Sequence, residues 1–177
     1  HYLERALFLA RKEPPNETFL ELLEEFGVLS LMEGNRAEAE HYYREGLQAA
    51  SHLKAKMYQV LFLQGVGAIH HLRKERAQAR QLFEQGLALA EQIQFRRGRM
   101  LLLNNLGVGS FFEGDSAEAG DLLKNGLQEA VQLHNVQGEA LILNNLARWA
   151  RHNNYMHLSQ NYFRRLLKLA QTHQWEG

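Results

Sequence analysis

The chain carries nine histidines, twenty acidic and twenty basic residues and no cysteine, so any chemistry must come from imidazole, carboxylate, amide or guanidinium groups. Their spacing argues against catalysis and against a metal. His70 and His71 are adjacent, and neighbouring positions on a helix point about 100° apart, which is poor geometry for one ion. No His-Glu-x-x-His phrase occurs. His52, His134 and His173 fall near the ends of helical stretches, where a cation is mildly favoured. Without cysteine there is no thiol nucleophile and no disulfide framework. Gly65 with Gly67, and Gly107 with Gly109, match halves of a nucleotide fingerprint, yet they sit inside helical stretches with no preceding strand. No acid, base and nucleophile converge. The reading is of a protein that is not an enzyme and uses neither cofactor nor metal.

The remaining polar and aromatic groups suit binding. Arg148 and Arg151 each offer a planar fork of donors matched to carboxylate or phosphate. Asn104, Asn105, Asn144 and Asn145 carry both a donor and an acceptor, so they can pair with a ligand backbone without reading its sequence. Phe111 and Phe112 offer apolar surface beside them. The basic clusters Arg73, Lys74, Arg76, Arg80 and Arg96, Arg97, Arg99 suggest a nucleic-acid surface in isolation, but the net charge of zero argues against direct binding to nucleic acid or an anionic membrane. No apolar run approaches the roughly 20 residues that span a bilayer, which points to a cytoplasmic protein.

A period of forty residues positions these groups. Gly27, Gly67, Gly107 and Ala147 stand one period apart, as do Leu23, Leu63, Leu103 and Leu143. Ala39, Ala79, Ala119 and Ser159 follow the same register, then Tyr43, Phe83, Leu123 and Phe163. Projected backwards, Leu3, Ala6, Leu7 and Ala10 fall on Tyr43, Gly46, Leu47 and Ala50. The chain therefore opens halfway through a unit, without an initiating Met, and reads as a fragment of a longer protein.

Apolar residues recur at helical spacing in every unit, and the prolines are confined to Pro14 and Pro15. Gly34-Asn35 and Gly114-Asp115 break the units in two, and Asn35 with Glu38, or Asp115 with Glu118, has the spacing of an N-cap and its reciprocal carboxylate. Asn16-Glu17-Thr18 reads as a cap after the prolines rather than a glycosylation site. Further breaks are expected near Pro14-Pro15, Lys54-Ala55, Arg97-Gly98 and Gln137-Gly138. One domain over 1–177 follows, with a leading half-repeat at 1–12 and helix pairs at 17–54, 56–94, 97–134 and 137–174. Mid-helix glycine costs up to about 1 kcal/mol relative to alanine, so its recurrence implies a close helix crossing, with Tyr43, Phe83 or Phe163 as the knob beside the hole.

The pattern Leu63, Val66, Gly67, Ala79, Phe83, repeated as Leu103, Leu106, Gly107, Ala119, Leu123, resembles the tetratricopeptide repeat (TPR) family. The period is forty rather than the family's usual thirty-four, and the usual proline at the unit's end is missing. The Leu-Asn-Asn-Leu phrases at 103–106 and 143–146 are similar to the long repeats of MalT-type bacterial regulators and kinesin light chains. The resemblance implies an all-α, right-handed solenoid of about nine helices whose first helices line a concave face, and some peptide-binding members use asparagines at similar places.

Helical arithmetic from the small residue assigns the presented stripe. It gives Glu21, Glu24, Val28, Leu31 and Met32; then Leu61, Gln64, Ala68, His71 and Leu72; then Leu101, Asn104, Val108, Phe111 and Phe112; then Leu141, Asn144, Arg148, Arg151 and His152. The expected groove is acidic at one end, apolar in the middle and basic at the other. Its first reading is a non-catalytic scaffold binding a protein or peptide partner. A second is the sensing domain of a transcriptional regulator, taking a peptide or small-molecule effector, and a third is self-association into a homodimer. Competing structural roles stay open: Phe111 or Phe112 as packing between repeats, the asparagines as inter-repeat bonds, and Arg148, Arg151 and His152 as a solvated face or as contacts to a following repeat of a longer protein.

Overall fold

The computed structural model describes residues 2–173. The expected ends at residues 1 and 174 lie outside them, as do the side chains of Leu3 and Ala6. Among the described residues nine helices occur: α1 Tyr2–Ala10, α2 Glu17–Met32, α3 Arg36–His52, α4 Lys56–Leu72, α5 Arg76–Gln92, α6 Arg96–Glu113, α7 Ser116–Gln132, α8 Val136–His152 and α9 Met156–Thr172. The architecture is an all-α repeat solenoid. It divides into two compact units, the first ending at Phe95 and the second beginning at Arg96. In the first, α1 packs on α2, and the hairpins α2/α3 and α4/α5 stack through α3 and α4. In the second, the hairpins α6/α7 and α8/α9 stack through α7 and α8, with α6 also meeting α8.

The connections between successive helices from α2 onward repeat every twenty residues. Each holds one residue in the left-handed region: Gly34, Lys54, Lys74, Gln94, Gly114, His134 and Asn154, with φ between 51° and 91°. The next residue's N–H bonds back five positions, as from Asn35 to Ser30 at 2.7 Å and from Asn135 to Ala130 at 2.9 Å, closing the helix with a Schellman-type cap. This corrects two expected breaks. Gly98 and Gly138 lie buried inside α6 and α8, and the turns fall earlier, at Gln94 and His134. Gly138 is there for contact, because a Cβ on it would come within 2.7 Å of the Met100 sulfur.

The glycine period marks helix crossings. A Cβ on Gly67 would approach the Phe83 ring to 2.5 Å and one on Gly107 would meet Leu123 Cγ at 2.8 Å. A second glycine series, unused in the sequence reading, works the same way between hairpins. Gly46 lies under the Phe62 ring, and a Cβ on Gly126 would meet Ile142 Cδ1 at 3.4 Å. Around these crossings close Leu20, Leu23, Phe62 and Ile69 in the first unit, and Leu123, Ile142, Leu146 and Trp149 in the second.

The caps are partly as expected. Asn16 accepts from Phe19 N at 3.0 Å and Asp115 from Glu118 N at 3.0 Å. The partner carboxylates do something different from closing a reciprocal box: Glu118 accepts from Ser110 Oγ at 2.7 Å, and Glu38 accepts from Asn35 Nδ2 at 2.8 Å and Ser30 Oγ at 3.4 Å. Each thus ties the start of a second helix to the preceding first helix. No helix among the described residues is long and apolar enough to cross a membrane.

Candidate peptide-binding face

In the second unit the α8 face carries Leu141, Asn144, Arg148 and Arg151 at i, i+3, i+7 and i+10, so they share one stripe. Leu141, Arg148, Arg151 and His152 are exposed and Asn144 is half-buried. Among the described residues neither Arg148 nor Arg151 has a carboxylate within ion-pair distance. The other arginine clusters are largely neutralised: Arg73 meets Glu40 at 2.6 Å, Arg80 meets Glu84 at 2.9 Å, and Arg96 and Arg99 both hold Glu129.

Beside these guanidinium groups, α6 supplies aromatic surface. Phe111 is half-buried against the second unit's core with Val108. Its ring meets His152 edge-on at 5.0 Å between centroids and Phe112 at 5.5 Å. Phe112 is 47% exposed. Phe111 therefore packs between α6 and α8, and Phe112 is the more exposed of the two. A dimple of about 20 Å³ lies between Val108, Phe112, Asn145 and Arg148, room for the tip of a side chain and no more.

The asparagines divide by role. Asn104 is 5% exposed and accepts from Asn145 Nδ2 at 2.8 Å, while its own Nδ2 donates to Asn105 Oδ1 at 3.3 Å. Asn104 is thus turned into the α6–α8 contact and not outwards, because its stripe position faces the next first helix. Asn144, at the same register position, is half-buried. In the first unit Gln64 and His71 are half-buried and Leu72 is exposed. There the Tyr58 hydroxyl donates to Glu21 at 3.4 Å, and burial with the nearby carboxylates pushes its pKa up to about 12.

Sequence reasoning missed a larger concavity in the second unit. A cavity of about 710 Å³ opens between α7 and the start of α9, floored by Trp149 and walled by Asp121, Lys124, Tyr155 and Met156. Trp149 Nε1 donates to Ser116 O at 2.8 Å, and its ring lies against Gly120, where a Cβ would come within 2.8 Å of Cε2. The signal was present: forty-residue echoes of Gly120 are Glu40, Arg80 and Gln160, so the glycine breaks the register where the indole needs room. Among the described residues no group of three or more His, Asp or Glu could hold a metal ion.

These features define a class: a solenoid of repeated helix pairs with an arginine and aromatic face on its first helices. No family model and no curated protein sequence matches the chain. Among solved structures it is similar to BtubC (BKLC) from P. vanneervenii, at 14% identity and TM-score 0.77 over 99% of this chain and 73% of that one. It is also similar to a putative kinesin light chain of Podosopora anserina with TPR-like repeats, at 15% identity and TM-score 0.68, covering 98% of this chain and 86% of that one. A Rap protein complexed with competence and sporulation factor is similar at 15% identity and TM-score 0.76, with 98% of this chain spanning about half, 53%, of that one. The fold is that of long tetratricopeptide-like repeats, as the Gly67/Phe83 pattern implied.

Proposed function

We propose that the chain is a non-catalytic scaffold that binds an extended peptide segment of a protein partner on the first-helix face of its second unit. The observation that carries this is the pair Arg148 and Arg151, both exposed, without a carboxylate among the described residues, beside Phe112 and Leu141. Two guanidinium groups one helical turn apart suit an acidic side chain or a terminal carboxylate. Phe112 then takes an apolar side chain one or two residues along, and Asn144 pairs with the ligand backbone.

A peptide array scanned with the full chain tests this. Bound sequences should be enriched in an acidic residue beside an apolar one, and R148Q/R151Q should remove that enrichment. Retention of the same sequences by the double variant would overturn the reading. A second reading, a regulatory domain whose face holds an effector, draws on the fold likeness to the Rap protein complexed with competence and sporulation factor. It predicts that ligand binding changes the solution scattering profile of the full-length protein, which simple scaffolding does not require.

A further inference from the structure

The forty-residue register allows one groove to be compared with its own echo. In the first unit, the groove between α3 and the α4–α5 turn is lined by polar contacts: Glu40 with Arg73 at 2.6 Å and with Arg44 of its own helix at 2.7 Å, and Arg44 with His70, whose other nitrogen meets Glu75 at 2.5 Å. Eighty residues on, these positions are Gly120, Asn153, Lys124, Ala150 and Tyr155. Of those five side chains only the cation at 124 is kept, and Ile69 has become Trp149. What was bridged in one groove is an open aromatic cavity in the other.

We propose that this cavity binds an alkylated ammonium group. Its indole already carries a cation: Lys124 Nζ lies over the Trp149 ring at 5.3 Å from the centroid. The Tyr155 ring stands 5.9 Å from the indole at an interplanar angle of 58°, and both aromatic residues line the same volume, the indole as its largely buried floor. Asp121 Oδ1, 3.3 Å from the Lys124 ammonium, supplies the counter-charge. That internal contact is weakly held, because both partners are more than half exposed and such i,i+3 pairs contribute about 0–1 kcal/mol. An alkylated ammonium sheds its water more readily than a lysine and gains more from ring faces. The cavity, about 710 Å³, also has room for the ligand's stem. Trp149 and Arg148 are consecutive in α8 and so point about 100° apart; the indole also borders the small dimple beside Arg148, whereas Asp121, Lys124 and Tyr155 line this cavity and not that dimple.

The test is Trp149 fluorescence in the full chain carrying W175F, which leaves Trp149 as the only tryptophan. Choline, used as a soluble trimethylammonium probe, should give a saturable change, and its neutral isostere 3,3-dimethylbutan-1-ol should not. K124M removes the internal competitor and should tighten binding, whereas D121N and Y155A should weaken it, each by roughly fivefold for about 1 kcal/mol of cation–π or ionic contact. All three residues are exposed, and thermal melts confirm that the variants fold. A trimethyllysine peptide and a free trimethylammonium metabolite, compared in the same titration, distinguish a protein from a small-molecule source by the tighter of the two. An equal response to the neutral isostere, weaker binding in K124M, or no saturable change in either K124M or its parent would overturn the proposal.

Discussion

The Tyr43 ring occupies the space that a Cβ on Gly27 would fill. Sixteen residues separate the two, and the same interval joins Gly67 to Phe83, Gly107 to Leu123, Gly46 to Phe62 and Gly126 to Ile142. The hairpin and the step between hairpins are thus one device repeated, a missing side chain on one helix taking a large one from the next. Ala147 breaks the series: it carries its own methyl, and Phe163, its partner by register, is 41% exposed.

Glycines in the same helix should therefore respond oppositely to alanine. A Cβ on Gly107 would meet Leu123 at 2.8 Å and the Ala119 carbonyl at 3.2 Å, whereas one on Gly109 would meet no atom of another helix within 4 Å among the described residues. G107A is expected to lose about 1–3 kcal/mol by overpacking, and G109A to gain roughly 0.5–1 kcal/mol by helix propensity. Urea unfolding of both variants checks the signs.

Binding on the arginine face should be salt-sensitive and divisible. For an acidic peptide found on the array, R148Q and R151Q are each expected to cost roughly tenfold in affinity, the weight of one charge-assisted hydrogen bond. Raising ionic strength should weaken the parent more than the double variant. Fluorescence anisotropy measures both.

The paired asparagines should separate stability from binding. Asn145 donates to the buried Asn104 at 2.8 Å, so N145A strands a buried acceptor and is expected to cost about 1–3 kcal/mol. N144A, on the presented stripe, should leave the melting temperature nearly unchanged and weaken the peptide instead. Paired thermal melts and anisotropy titrations read the two effects.

Alkaline unfolding should report the buried phenols. Burial first, then neighbouring carboxylates, push Tyr43 and Tyr58 from 10.0 up to about 12. With the folded pKa above the unfolded value, each protonated phenol's contribution is fully present below about pH 10 and is lost as pH rises through about 12. Y43F and Y58F should flatten the fall in stability between pH 10 and 12, followed by circular dichroism.

Helix pairing was readable from residues because it rests on local rules. A small residue every forty positions, apolar residues at helical spacing and the Asn16 and Asp115 caps each act within a turn or two of chain. The turn at Gln94 was less visible, since its left-handed slot holds a residue with a side chain, while the glycine expected to mark it, Gly98, serves a buried helical position. The candidate stripe was legible only as exposure. Arg148, Arg151 and Phe112 are exposed, as their periodicity led one to expect, because a helix fixes azimuth to within a fraction of a turn.

Whether a stripe residue is offered or enclosed depends on the neighbouring helix, and that is a tertiary matter. Asn104 and Asn144 share a register position, yet Asn104 is covered by Asn145 from α8 and Asn144 is not. Likewise Gly120 departs from the register, which marks the position, but only the packing of α8 against α7 shows that its missing side chain admits Trp149 beside a cavity between α7 and α9. Periodicity sets which way a side chain leaves its own helix; the packing of separate helices decides what it meets.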